Sequence, residues 1–131
     1  MVSLTYNGRL PSTNDLVQMN RVNRFQGASM KRKYTQELAV CFRSQTKERF
    51  TSHVTCDVKF FEDTMRRDDD NVLSGLKYIM DGLVTAGIIH DDSPKWCHVT
   101  AERFQSHMEV DGKKVPYITV NIEESEANDY T

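Results

Sequence analysis

Five of the aspartates in this chain fall into two groups. Asp68, Asp69 and Asp70 follow Arg66 and Arg67, and Asp91 with Asp92 comes about twenty residues later. Carboxylates so close repel one another unless a cation lies among them. Hard divalent ions such as Mg²⁺ take oxygen ligands, commonly one or two carboxylates completed by water and substrate phosphate. The chemistry these residues suggest is metal-assisted phosphodiester cleavage. A plainer reading stands beside it on the residues alone. Aspartate at a helix N-terminus is favoured by the macrodipole, and an aspartate pair before Ser93-Pro94 is an ordinary turn.

The elements that must position these groups can be read from the apolar pattern. Residues 71–86 predict a helix, with Val72, Leu76, Ile79, Met80 and Leu83 recurring at three and four, and Leu73 and Val84 widening the stripe. Asp70 or Asn71 can cap its start, and Gly87 stands where a C′ glycine belongs. Gly75 and Gly82 suggest close packing against a sheet. A helix of this length is about 24 Å long, so the two acidic groups cannot meet along it. Residues 88–92 must turn back for them to approach.

Residues 53–61 alternate apolar Val54, Cys56, Val58 and Phe60 with polar neighbours, a half-buried strand. Phe60 and Phe61 then face opposite sides. Residues 4–10 read as a first strand, and 96–104 and 115–122 as two more, with a hairpin turn at Asp111-Gly112. Residues 11–15 carry turn signals, and 16–30 read as a polar loop. A further helix starting near Ser29 or Lys31 carries Leu38, Val40, Cys41 and Phe42. The order β-α-β-α-β-β predicts an α+β domain with a small mixed or antiparallel sheet and two main helices.

With 131 residues the chain suits one domain, taken as 1–122 followed by an acidic tail, 123–131. No apolar run is long enough to span a bilayer, and the first residues show no secretory pattern. Cys41, Cys56 and Cys97 fit no zinc spacing and read as free thiols of a reducing cytosol. His53, His90, His98 and His107 show no ligand spacing. Trp96 and Phe104 read as core or interface residues.

The net charge of −2 hides an asymmetry: residues 1–67 carry twelve Lys and Arg against six Asp and Glu, and residues 68–131 five against thirteen. A basic half beside an acidic site suits a protein that grips phosphates with one surface and hydrolyses at another. Arg21, Arg24, Lys31, Arg32, Lys33, Arg66 and Arg67 are the candidate DNA contacts. Lys31-Arg32-Lys33 falls at the expected helix start, where free backbone N–H groups also favour phosphate.

The stretch Arg66-Arg67-Asp68-Asp69-Asp70-Asn71-Val72-Leu73, then Leu76, Asp81-Gly82-Leu83, Ala86-Gly87 and Asp91-Asp92-Ser93, resembles the RusA family of Holliday-junction endodeoxyribonucleases of bacteria, prophages and phages. The family pattern is Asp-x-Asp-Asn-Leu, Asp-Ala-Leu, a glycine, and Asp-Asp before a strand. It covers about 30 residues here, with both acidic groups in register. The opening strand, Pro11-Ser12-Thr13-Asn14 and the basic segment after it also resemble the family.

The resemblance implies a homodimer that resolves four-way DNA junctions by paired nicks using Mg²⁺ or Mn²⁺, in recombination or repair. It implies a cytoplasmic setting in a bacterial or phage-infected cell. It maps the essential aspartates onto Asp68, Asp70 and Asp92, with Asp91 assisting, all four as metal ligands. One position departs. Where family members often carry a lysine, this chain has Ser74, and the nearest lysine is Lys77. Lys77 or an arginine at 66 or 67 would have to take that part. Ser74 leaves open a phage or prophage protein that binds branched DNA with weak or no cleavage.

Overall fold

The computed structural model describes residues 1–22 and 24–126; the side chains of residues 13, 14, 16, 20, 22 and 24 also fall outside the described set. Its elements run β1 (Val2–Asn7), α1 (Thr13–Val22), α2 (Arg24–Gln45), β2 (Val54–Glu62), α3 (Asp69–Leu73), α4 (Leu76–Thr85), β3 (Cys97–Gln105), β4 (Glu109–Val110), β5 (Lys113–Lys114) and β6 (Tyr117–Glu124). The expected α+β class and mixed sheet are present.

Four strands form the main sheet in the order β1-β6-β2-β3. β6 is antiparallel to both β1 and β2, while β2 and β3 run parallel. A parallel pair needs a crossover, and α3 and α4 supply it. Period two decides which face meets the helices. Val54, Cys56, Val58, Phe60 and Glu62 of β2 lie inward and buried, beside Ile118, Val120 and Ile122 of β6 and Leu4 of β1. Against them stand Leu38 and Phe42 of α2 and Ile79 and Leu83 of α4, all fully buried. Burying each such side chain contributes about 1.5–3 kcal/mol.

The other face is mostly polar, apart from a stack in which Phe61 lies 4.4 Å from Tyr117 and 5.3 Å from Phe104 between ring centroids. Phe60 and Phe61 do face opposite ways. Trp96 is half-buried against His90, with centroids 4.0 Å apart. The free edge of β1 is covered by Gln45, whose side-chain amide accepts from Thr5 N–H at 2.8 Å and donates to Thr5 C=O at 2.7 Å. The three cysteines are free, with the thiols of Cys56 and Cys97 buried 3.4 Å apart.

Several expectations need correction. Most of the segment read as a turn and polar loop is helical: α1 covers Thr13–Val22, and α2 begins at Arg24 rather than near Ser29. Ser12 and Asp15 make a reciprocal cap at the start of α1. Ser12 Oγ accepts from Asp15 N–H at 3.2 Å, and Asp15 Oδ2 accepts from Ser12 N–H at 2.8 Å. α1 packs on α2, so it needs no stripe facing the sheet.

The single helix expected over 71–86 is two, broken at Ser74–Gly75. A Cβ on Gly75 would lie 3.2 Å from Leu10 Cβ and 3.3 Å from Phe60 Cε1, so glycine there allows the close approach to the sheet. Gly82 serves a different neighbour. Its Cβ would fall 2.9 Å from Leu38 Cβ, so it lets α4 settle on α2.

The hairpin turn at Asp111-Gly112 is present, with φ of 53° and 77°, but it joins two short extra strands, β4 and β5. β6 runs over Tyr117–Glu124, two residues past the expected end of the last strand. Ser125 N–H then donates to His53 C=O at 2.9 Å, and Ser125 Oγ bonds His53 Nδ1 at 2.8 Å. Glu123 and Glu124 therefore belong to the sheet, and the rest of the expected tail from 127 lies outside the described residues.

Candidate functional site

The first acidic group stands where the crossover leaves β2. Asp68 is the extended residue ahead of α3, with φ −65° and ψ 152°. Its carbonyl accepts from Val72 N–H and that of Asp70 from Ser74 N–H, both at 3.1 Å. Asp68, Asp69 and Asp70 are all exposed. The Asp68 and Asp70 carboxylates have no hydrogen-bond or ion-pair partner among the described residues. Asp69 differs, pairing with Arg103 Nη1 at 3.1 Å.

The loop leading to them is held by charges of which the sequence reading singled out only Arg67. Glu62 ends β2 on its inward face with a buried carboxylate. It is met by Arg67 Nη1 at 3.1 Å and by Arg9 Nε at 3.4 Å. Arg9 also pairs with Asp63. Arg67 Nη2 donates to Asn71 C=O at 3.4 Å. Arg67 is thus half-buried and matched by protein groups, unlike Arg66 beside it, which is exposed. Arg103 could have been found in sequence. It follows Cys97, Val99 and Ala101 on the inward phase of β3, where a charge is out of pattern.

The second group stands on a chain that turns back after α4. Gly87 takes φ 73°, Gly87 N–H donates to Val84 C=O at 2.9 Å, and Ile88 N–H to Leu83 C=O at 3.0 Å. This is a Schellman ending. Ile88 and Ile89 are buried, and Phe50 N–H donates to Ile88 C=O at 2.8 Å, fixing the returning chain. Asp92 Oδ2 reaches Lys77 Nζ, 3.1 Å away in the first turn of α4. Lys77 also pairs with Asp81 at 3.0 Å. The hydrogen bonds to Asp81 and then Asp92 raise the Lys77 pKa above its ordinary value, against a small opposing desolvation. Asp91 serves its own turn. Its carboxyl is held below the usual range by the Asp92 backbone N–H and then by the Ser93 hydroxyl.

The structure therefore brings Lys77, Asp81 and Asp92 together and leaves Asp68 and Asp70 open at the start of the preceding helix. The four carboxylates among them offer oxygens of the kind a hard cation takes. As placed they do not complete a site for one. Among the described residues no three of His, Cys, Asp and Glu form a group that could hold a metal ion, and Asp92 is occupied by Lys77. Ser74 spends its hydroxyl on Asn71 C=O at 2.8 Å.

The basic candidates are spread. Arg21 is exposed in the last turn of α1, and the Arg24 side chain lies outside the described residues. Lys31, Arg32 and Lys33 are exposed but lie inside α2, not at its start. Their backbone N–H groups belong to the helical ladder, so the cluster offers side-chain charge alone. Among the described residues no helix is long and apolar enough to cross a membrane.

No family model matches this chain, and no curated protein resembles it significantly.

Proposed function

We propose that this chain is a Mg²⁺- or Mn²⁺-dependent endodeoxyribonuclease that resolves four-way DNA junctions by paired nicks, in recombination or repair. The observation that carries the reading is the return of the second acidic group. Asp92 lies 3.1 Å from Lys77 in the first turn of α4, just after the short helix that Asp68 and Asp70 open. The distant half of the motif is thus folded back as far as the first turn of the helix that follows its near half.

In this reading Asp68, Asp70, Asp91 and Asp92 are the carboxylates that serve the cation. Lys77 and Arg66 face the scissile phosphate. Arg21, Lys31, Arg32 and Lys33 grip neighbouring phosphates, contacts that position DNA without reading its sequence. Arg67 has a smaller part in DNA contact, because Glu62 already holds it. Paired nicks call for two sites, so the active form is a homodimer whose twofold axis suits a junction of similar symmetry.

A second reading has its own support. Ser74 stands in the motif's usual lysine position and spends its hydroxyl on Asn71 C=O at 2.8 Å, which favours a branched-DNA-binding protein with weak or no cleavage. Incubation with a synthetic four-way junction and Mg²⁺, beside an EDTA control, separates the two. Symmetric nicks lost in EDTA support the nuclease. Tight binding with a steep salt dependence and no nicks supports the second reading. Absence of junction binding overturns both.

A further inference from the structure

Arg103 is the least expected side chain in the molecule. It sits on the inward phase of β3, paired in register with Phe60, and its side chain is 7% exposed. Placing a cation there is costly unless its partners are good. Its Nε finds no partner among the described residues, which adds to that cost. The preceding inward positions of the strand hold Cys97, Val99 and Ala101, so packing alone does not call for arginine.

The groups its guanidinium does reach lie in one short segment. Nη1 donates to the Arg67 carbonyl and to Asp69 Oδ1, the latter at 3.1 Å. Nη2 donates to the Thr64 carbonyl at 3.3 Å and lies 3.8 Å from the Met65 sulfur. Backbone carbonyls fix the course of a chain, and these two bracket the loop between β2 and α3. The carboxylate contact falls on the middle aspartate of three.

We propose that Arg103 is a positioning residue that sorts the Asp68-Asp69-Asp70 run. It ties the 64–67 backbone to β3 and neutralises Asp69, leaving the flanking Asp68 and Asp70 carboxylates unpaired and fixed in place to act. The proposal rests on the nuclease reading for what those carboxylates do, but the positioning itself can be measured without activity.

The test compares the full-length protein with Arg103→Met and Arg103→Lys. The first readout is amide hydrogen exchange in the absence of metal and DNA. Arg103→Met is expected to speed exchange of the Val72 and Ser74 amides, which bond the Asp68 and Asp70 carbonyls, by about tenfold or more, with β2 and β6 within about twofold. Arg103→Lys, which keeps the charge and loses the fork, is expected to restore part of the protection. The second readout is single-turnover junction nicking in Mg²⁺. Arg103→Met should slow it by roughly tenfold to a hundredfold, while junction affinity in EDTA stays within about twofold.

Equal loss of protection at these two amides and throughout the sheet would make Arg103 a packing residue and overturn the proposal. Unchanged exchange at Val72 and Ser74 would overturn it as well. If the wild-type protein does not nick junctions, the nuclease reading fails, and the exchange result still decides whether Arg103 positions the loop.

Discussion

The two acidic groups are held by opposite means. Asp91 and Asp92 are spent locally: Asp91 on its own turn, Asp92 on Lys77, with the returning chain pinned by Ile88 and Ile89 in the core. Asp68 and Asp70 have no such partners, while the loop before them is fastened by Arg9, Arg67 and Arg103. One group is satisfied and its support is hydrophobic. The other is unsatisfied and its support is ionic. Groups left unpaired on a fixed backbone are the ones available to a ligand, so under the proposed nuclease reading the first group is the reactive half of the site.

The largest expected effect breaks the hydrophobic support. Ile88→Ala removes a fully buried side chain and is expected to lower stability by about 2–5 kcal/mol, read as a shift of the urea midpoint. A change below about 1 kcal/mol would mean that the returning chain is not anchored there.

Glu62→Gln acts on the ionic support. It keeps the shape and leaves Arg9 and Arg67 facing one another without their shared carboxylate. A cost of roughly 1–3 kcal/mol is expected, with faster proteolytic nicking near residues 63–67 than in β2. Uniform destabilisation without that local change would count against a loop held by these charges.

Lys77→Met should be mild, because the lysine is mostly exposed, and about 1 kcal/mol or less is expected. The sign with pH is definite. The lysine's pKa is raised in the folded state, so its contribution is fully present below the ordinary value of 10.5 and is lost as pH rises through the folded value. Wild type and variant should converge in urea stability at strongly alkaline pH and under high salt. A gap that widens there would refute the pairing.

The smallest effect belongs to Asp91. Its pKa is lowered, so its contribution is present above the ordinary value of 3.8 and fades as pH falls through the folded value. The carboxyl shift followed by NMR should titrate below that of an unstructured aspartate. A titration at or above the ordinary value would show that the turn does not hold it.

These contrasts were unequally legible in the sequence. The stripe of Val72, Leu76, Ile79 and Leu83, the alternation of β2 and the ending at Gly87 were readable because burial imposes period and glycine marks a positive φ. Helix length set only a condition, that residues 88–92 turn back if the two acidic groups are to approach. The helices over 13–22 and 24–30 were not readable from period, because α1 packs chiefly on α2. Their one clear signal was the Ser12–Asp15 cap. The break at Gly75 depended on Leu10 and Phe60, which are distant in sequence. The arginine clamp needed strand phase and charge considered together: Arg103 is legible only once Cys97, Val99 and Ala101 are known to point inward.

The most direct measurement is single-turnover nicking of a four-way junction in Mg²⁺ by wild type and Asp70→Asn at matched junction occupancy. Loss of one unpaired carboxylate at the start of α3 is expected to reduce nicking by about a hundredfold or more, with urea stability unchanged within about 0.5 kcal/mol. Full Mg²⁺-dependent cleavage by Asp70→Asn would contradict the assignment of the reactive half to the first acidic group.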